Sequence, residues 1–434
     1  MEKFDSIIIG AGPGGLAAAY KLKSSGQKVA VIENNLWGGT CPNRGCDPKK
    51  VFIAGVEARD KVLQLQNKGF SDVPYLNWKE IEEFKETFTD PVSRGSRGGI
   101  VKAGIMAIDG QPKFVSENEL TVNGENYQAD HFIIATGQRP SYLDIPGKNL
   151  LLSSTDFLSL NKMPEDITII GAGYIAFELA TIANATGAKV HVVHHNDHPL
   201  KGFNEKYALE LVKQLENKGV DFNFNIDTKS IEAKDGKYII KADDFELTTD
   251  LVFGATGRIP NVDALDIEKA NVKVDRHGVI VNGKLQSSND KIFAIGDVVS
   301  TKQPKLTPVA GFEANYVDDV ILGKTSDDIE FPLIPTTVYG SPKLAEVGAK
   351  DGAKVVDQDV TSWFTYHRTN EPKAEIRIVL NNEDQIIGAT VLSSEADSLI
   401  NLLTMAIKDK MTHEDVTKQI MAYPTDASDL EYLF

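Results

Sequence analysis

The sequence predicts an α/β chain that ends in a separate α+β region. Three observations carry that prediction. Strands and helices alternate through most of the 434 residues. A strand, a glycine-rich turn and a helix follow one another twice, from Ser6 and again from Asp166. From about Phe331 the pattern changes to longer strands and helices, as expected of an α+β domain rather than a wound parallel sheet.

The first unit opens with the strand Ser6–Ile9, then Gly10-Ala11-Gly12-Pro13-Gly14-Gly15, then the helical run Leu16–Ser25 and a second strand, Lys28–Ile32, that ends at Glu33. Gly10 permits the tight turn, Gly12 lets the backbone approach a pyrophosphate, and Gly15 allows close helix–strand packing. The helix N-terminus supplies free N–H groups and a positive dipole end. Glu33 stands where it accepts hydrogen bonds from ribose hydroxyls. A glycine motif alone is weak, since any tight strand–helix turn can carry one. Strand, helix and acid in register point to dinucleotide binding.

The second unit runs from the strand Asp166–Ile170 through Gly171-Ala172-Gly173-Tyr174-Ile175-Ala176 and a helix to about Thr186, then the strand Lys189–Val193. Ala176 takes the third glycine's place, a tolerated variant. The strand ends in His194-His195-Asn196 with no acid, and Lys201 follows nearby. An acid there would hold a free 2′-hydroxyl and repel a 2′-phosphate. Its absence, with His195 and Lys201 at hand, favours NADPH over NADH, with NAD as the alternative. Two such units imply two Rossmann-like dinucleotide-binding domains, one inserted in the other.

Between the units, Lys49–Asn67 and Trp78–Phe88 read as helices, and residues 100–135 as short strands ending in Ile133-Ile134-Ala135-Thr136-Gly137. That ending has a counterpart in Gly254-Ala255-Thr256-Gly257, which Arg258 follows. Lys291–Ile295 is a buried strand that leads through Gly296 to an acid, Asp297. In the last third, Glu375–Leu380 and Gln385–Ser393 read as strands, and Ala396–Lys408 and Thr412–Gln419 as helices.

Composition narrows the function. Lys and Arg number 46 against 62 Asp and Glu, a formal charge of −16. That argues against nucleic-acid binding, which needs clustered cations, but not against anions held at helix N-termini. The apolar run Ser6–Tyr20 is shorter than the roughly 20 residues of a membrane span, and Met1-Glu2-Lys3-Phe4-Asp5 is not a cationic leader. The expectation is a cytoplasmic protein with no membrane association. Two cysteines, Cys41 and Cys46, can neither staple a secreted scaffold nor form a zinc site alone, and no metal site is expected. They are either two buried small residues or a chemical pair.

The pair sits in Gly38-Gly39-Thr40-Cys41-Pro42-Asn43-Arg44-Gly45-Cys46-Asp47-Pro48-Lys49-Lys50. Five residues of ideal helix rise about 7.5 Å, whereas bridged Cα atoms lie about 4.4–6.8 Å apart. A disulfide therefore needs a distorted first turn, which Gly45 permits. Lys49 and Lys50 add positive charge that favours a thiolate.

With this segment the chain resembles the class I pyridine nucleotide–disulfide oxidoreductases: glutathione reductase, dihydrolipoyl dehydrogenase, mercuric reductase and their relatives. The likeness runs nearly end to end. It includes Gly171–Glu178, both Ala-Thr-Gly segments, Ile295-Gly296-Asp297, Leu306-Thr307-Pro308-Val309-Ala310 and Ile334-Pro335-Thr336. The resemblance implies FAD in the first unit and NAD(P)H in the second. It divides the chain into an FAD-binding domain (1–143 and 258–328), an NAD(P)H-binding domain (144–257) and a C-terminal dimerisation domain (329–434), hence a homodimer. Glu33, Gly39, Thr40, Asp297 and Thr307, with Leu306 beside it, match positions at FAD, and Gly257 and Arg258 are placed against a dinucleotide. Cys46 matches the charge-transfer thiolate and Cys41 the interchange thiol that attacks substrate. Lys49 would pair with Glu178 near the flavin nitrogen that receives the hydride, stabilising its developing charge. Tyr174 matches the aromatic gate over the nicotinamide pocket.

Two departures bear on the substrate. Disulfide reductases of this family usually end in His-Pro-Thr-x-x-Glu, whose histidine serves the partner subunit's disulfide as acid–base. Here the stretch is Tyr423-Pro424-Thr425-Asp426-Ala427-Ser428. Tyr423 replaces the histidine and Ser428 its orienting glutamate, so the site is changed as a unit. Free histidine titrates near 6.5 and free tyrosine near 10, so tyrosine is a hydrogen-bond donor but a poor base. Asp47, where the family commonly has an apolar residue, would raise a neighbouring thiol's pKa by like-charge repulsion. Mercuric reductases carry a tyrosine near that position but also a C-terminal cysteine pair, which this sequence lacks. The expected activity is NADPH-dependent, FAD-dependent reduction of a small-molecule disulfide with Tyr423 assisting at Cys41. The alternative is reduction of quinones, metal ions or oxygen, with no thiol product.

Overall fold

The structure, a computed structural model, describes residues 2–433. The chain folds as two compact units, Met1–Lys49 with Phe84–Ser141 and Arg258–Phe331, and Lys50–Glu83 with Tyr142–Gly257 and Pro332–Phe434.

The first unit is built on a seven-stranded sheet. Strands Met106–Asp109, Val29–Glu33, Glu2–Ile9 and Glu125–Ile134 lie side by side in parallel. Ile7, Ile8 and Ile9 are buried on both faces, as a parallel sheet covered by helices requires. The sheet branches at Glu125–Ile134. Its first half carries the antiparallel strand Glu119–Val122, and Phe132–Ile134 pair with Ile292–Ala294 in parallel. Residues 138–140 pair antiparallel with 258–260, so the intervening segment leaves and re-enters this unit through adjacent strands. That is the connection an inserted domain needs.

The second unit holds a four-stranded parallel sheet in the order Val220–Asn223, Lys189–Val193, Asp166–Ile170, Leu251–Gly254. A three-stranded antiparallel sheet spans residues 230–249. The C-terminal part forms a five-stranded antiparallel sheet in the order Thr336–Val338, Lys343–Gly348, Ile386–Ser393, Glu375–Leu380, Lys354–Asp359. The helix Ala396–Lys408 buries Leu399, Ile400 and Leu403 in one core with Ile376, Ile378 and Val391 of that sheet. The α+β expectation holds here. Val338, Leu344 and Leu392 also join the cluster of Phe52, Trp78, Ile167 and Phe177, so the C-terminal sheet and the four-stranded parallel sheet share a core.

Most elements read from periodicity fall within a few residues of their positions, but two differences are instructive. The first strand starts at Glu2 rather than Ser6, because residues 2–4 pair with 127–129 despite their polar alternation. Val92–Lys102 is a helix where residues from 100 read as strand. No helix among the described residues is long and apolar enough to cross a membrane.

Candidate active site

The first glycine turn is shaped by contacts that leave no room for side chains. Gly10 has φ +107°, and a Cβ there would lie 2.4 Å from the Ala135 carbonyl oxygen. A Cβ on Gly15 would lie 2.0 Å from the Gly10 carbonyl oxygen. The helix Pro13–Ser24 begins at this turn with Gly12 as its N-cap and no side-chain cap, so its first N–H groups are open to an anion. Glu33 accepts hydrogen bonds from the Ala11 N–H (2.8 Å) and the Asn35 N–H (2.8 Å), which fixes the acid beside the turn. Gly39, at φ +71°, comes so close to the turn that a Cβ would lie 2.5 Å from the Gly12 Cα. A cradle of bare backbone with a fixed carboxylate at its edge fits a dinucleotide pyrophosphate and ribose, which is what FAD presents.

The rest of the predicted FAD set lies in the same unit. Thr136 donates to the Asn261 carbonyl (2.8 Å), and the Asn261 side chain returns a bond to the Thr136 carbonyl. Gly137 follows at φ +64°. Gly296 begins the turn that carries Asp297. Burial pushes the Asp297 carboxyl up, while Arg258 and Lys305 pull it down. Arg258 also donates to the Gln138 carbonyl (2.5 Å), so its guanidinium serves the first unit. Leu306 is the N-cap of the helix Thr307–Ile321, with Thr307 its first residue.

Three side chains here escaped sequence reasoning. Asn43 donates to the carbonyls of Trp37 (3.0 Å) and Gly39 (2.8 Å), tying the cysteine segment to the glycine turn. Glu313 accepts from the Gly296 N–H (2.6 Å), and burial pushes its pKa up to about 7. Lys305 bonds the Val299 carbonyl and lines a narrow pocket with Asp297 and Glu313. The available signal for Glu313 was an acid among the apolar positions Ala310, Ala314 and Val317 of this helix, which buries Asp318 as well.

The cysteines occupy two separate helices. Thr40–Arg44 is one short turn, Gly45 breaks it at φ −135°, ψ −113°, and Cys46 begins the helix Cys46–Gln64. A Cβ on Gly45 would lie 2.9 Å from the Thr40 carbonyl oxygen and 3.1 Å from the Cys41 Cα. The break at Gly45 is the distortion that the spacing demanded. Cys46 stands at a helix N-terminus, which favours a thiolate. The Cys41 thiol is pushed strongly up, first by its hydrogen bond with Cys46, then by burial and by the charges of Cys46 and Asp47, while the Thr307 hydroxyl pulls it down. The Cys41 thiol donates to Asp47 Oδ1 at 3.9 Å. The lysines expected to lower the thiols do not figure among these influences on Cys41. Lys50 instead sits over the Tyr339 ring, 4.3 Å from its centroid. Lys49 follows in the first turns of the helix, half-buried.

In the second unit Gly171 repeats the geometry of Gly10, with φ +117° and a would-be Cβ 2.3 Å from the Ala255 carbonyl oxygen. Gly173 caps the helix Tyr174–Ala185 without a side-chain cap. Tyr174 is exposed, Ile175 half-buried, and Ala176 fully buried in the place of a third glycine. Gly257 has φ +114°. Glu178 is 1% exposed and accepts from the Tyr339 N–H at 3.1 Å. His195 and Lys201 are exposed beyond the strand Lys189–Val193, and His195 Nε2 bonds the Asn196 amide at 2.9 Å. Both side chains lie beyond the end of this strand, where His194-His195-Asn196 includes no acid.

Tyr423 is 67% exposed, and its ring stacks on Phe364 at 6.1 Å and 14°. Ser428 is spent within its own turn, donating to the Thr425 carbonyl at 2.7 Å and accepting from its N–H at 3.1 Å. It cannot orient Tyr423 as a longer acid would; Phe364, which the sequence did not single out, takes that place.

Comparison with known proteins bears on the whole chain. Residues 4–314 match the family model described as pyridine nucleotide-disulphide oxidoreductase, and residues 334–432 its dimerisation domain. A glutathione reductase of Nostoc sp. is 32% identical across 98% of this chain and 98% of its own length. Dihydrolipoyl dehydrogenase 3 of Haloarcula marismortui is 30% identical across 97% and 94%. The solved structure of the HOCl-induced flavoprotein disulfide reductase RclA from Escherichia coli matches with a TM-score of 0.90, covering 99% of each chain at 24% identity, a likeness of fold.

Proposed function

Because this chain belongs to the class I pyridine nucleotide–disulphide oxidoreductases, NAD(P)H-dependent flavoenzymes with a redox-active pair that here is Cys41–Cys46, we propose that it uses NADPH to reduce a small-molecule disulfide that Cys41 attacks. The family uses FAD and NAD(P)H, and its dimerisation domain implies a homodimer. Bound FAD supplies the two-electron relay between nicotinamide and thiols. Gly10, Gly12, Pro13, Gly14, Gly15, Glu33, Gly39, Thr40, Thr136, Gly137, Gly296, Asp297, Leu306 and Thr307 would hold it. Gly171, Gly173, Tyr174, Ile175, His195, Lys201, Gly257 and Arg258 complete the nucleotide contacts.

The observation that carries the reading is the unequal environment of the two sulfurs. Cys46 heads a 19-residue helix and is suited to hold negative charge. The Cys41 thiol is pushed up by its hydrogen bond with Cys46 and by burial, so as the exchanging thiol it needs a base when it attacks. By the family's pattern Lys49 and Glu178 would each serve at the flavin, and Tyr423 of the partner subunit would donate a hydrogen bond to the leaving sulfur.

Replacing Cys41 with serine tests this. Cys41→Ser abolishes NADPH-driven disulfide turnover yet leaves reduction of the flavin by NADPH intact; a variant that still turns over its disulfide overturns the mechanism. Cofactor choice is tested by kcat/KM for the two nicotinamides, with NADPH expected to lead by at least about tenfold; a clear NADH preference overturns that part. The changed Tyr423–Ser428 site favours a second reading, electron delivery to an acceptor that yields no thiol. An anaerobic panel of glutathione disulfide, coenzyme A disulfide, lipoamide, mercuric ion and quinones separates the two.

A further inference from the structure

We propose that Asp47 is the acid–base catalyst for Cys41, taking the thiol proton as the sulfur attacks and returning it to the departing sulfur. The inference rests on reading Cys41 as the attacking thiol. Asp47 lies in the first turn of the helix Cys46–Gln64 with its side chain exposed. Its Oδ1 is 3.9 Å from the Cys41 Sγ and accepts that thiol's hydrogen bond. The contact exists because the chain breaks at Gly45, where the Cys41 Cα would touch any added Cβ. Without the break the two residues would be spread along one helix.

Cys46 also bonds the Cys41 thiol, but it is the charge-transfer partner and is replaced in the test below; the remaining candidates are poorer proton acceptors. Thr307 offers a hydroxyl. Tyr423 is a phenol, and free tyrosine titrates near 10. Ser428 is tied to Thr425. A carboxylate is a weaker base than a thiolate, so Asp47 takes the proton only as the new S–S bond forms, and it then gives that proton up readily to the departing thiolate. Donor–acceptor separations of catalytic groups are often long without substrate and shorten when it binds.

The step balances. The Cys41 sulfur forms a bond to one substrate sulfur and the substrate S–S bond breaks. Cys41 rises to the disulfide level while the departing sulfur becomes a thiol. The proton moves from Cys41 to Asp47 and then to the departing sulfur, so the carboxylate is regenerated and no outside oxidant or reductant is needed.

A carboxylate that acted only by its charge would do the opposite, opposing the thiolate and slowing attack. The two roles therefore predict changes of opposite sign when the charge is removed. The chain has two cysteines, so Cys46→Ser leaves Cys41 as the single thiol. In that flavin-loaded background, single-turnover exchange with hydroxyethyl disulfide at neutral pH reads the Cys41 step alone. Adding Asp47→Asn slows the exchange by about tenfold or more, and Asp47→Glu, which keeps the carboxylate, restores most of the rate. An unchanged or faster exchange with Asp47→Asn, or failure of Asp47→Glu to restore it, overturns the proposal. Failure of the unsubstituted enzyme to turn over any disulfide with NADPH overturns the proposed function instead, while this exchange still judges Asp47.

Discussion

Bare backbone sets the shape of the first nucleotide cradle. Gly39 is its tightest point, because its φ of +71° already disfavours any side chain and a Cβ would lie 2.5 Å from the Gly12 Cα. Neither backbone can yield cheaply, since Gly12 caps the helix Pro13–Ser24 and Asn43 holds the Gly39 carbonyl. Gly39→Ala is therefore expected to strip flavin from the purified protein and to lower Tm by several degrees, a cost of roughly 1–3 kcal/mol. The absorbance ratio of flavin to protein and a thermal scan check it; full flavin content would show that the turn can relax. The sequence made Gly10, Gly12, Gly15 and Glu33 legible because each belongs to a fixed spacing within a strand–turn–helix unit. Asn43 and Glu313 were not legible. Their roles lie in hydrogen bonds to backbone that only the folded turn presents.

At the scale of elements, regular strands announce themselves and crowded helices do not. Asp166–Ile170, Lys189–Val193 and Glu375–Leu380 fall where their apolar runs place them. Val92–Lys102 contains Gly95, Gly98 and Gly99, which weaken helix propensity. It forms because packing overrides propensity: Ile100 is buried with Trp37 and Leu22, and a Cβ on Gly99 would lie 2.6 Å from the Tyr20 hydroxyl. The C-terminal elements are tied by a different device. Glu371 accepts from the Ser394 N–H and hydroxyl, just before the helix Ala396–Lys408. Burial, with Asp426 and Glu395 adding repulsion, pushes its pKa up to about 7 from 4.5. Between those two values the native state binds more protons than the unfolded chain, so stability falls as pH rises through the window and is flat above it. Glu371→Gln removes this loss. Its Tm relative to the unsubstituted protein should therefore be higher at pH 8 than at pH 5. Equal differences at the two pH values would show that Glu371 titrates normally.

For the whole molecule, the decisive question is which subunit supplies Tyr423. Its ring is exposed and stacks on Phe364, an arrangement of little use to a residue working alone on a surface. The exchange of histidine and glutamate for Tyr423 and Ser428 was legible because the Pro-Thr between them kept the alignment in place. The bracing by Phe364 was not, because residues some sixty apart in sequence carry no shared periodicity. Removing the phenol's hydrogen bond to a developing thiolate should cost about tenfold in disulfide turnover for Tyr423→Phe. Mixed dimers then decide the geometry. Pair one chain carrying Cys41→Ser with one carrying Tyr423→Phe. If Tyr423 acts across the interface, both defects fall in one site and the other site is intact, so the mixed dimer keeps half the turnover of the unsubstituted dimer. If Tyr423 acts within its own chain, one site lacks its attacking thiol and the other lacks its phenol, and turnover falls to about a twentieth. Tagged co-purification of the mixed dimer, followed by NADPH-driven disulfide turnover, distinguishes a half from a twentieth without any assumption about the substrate's name.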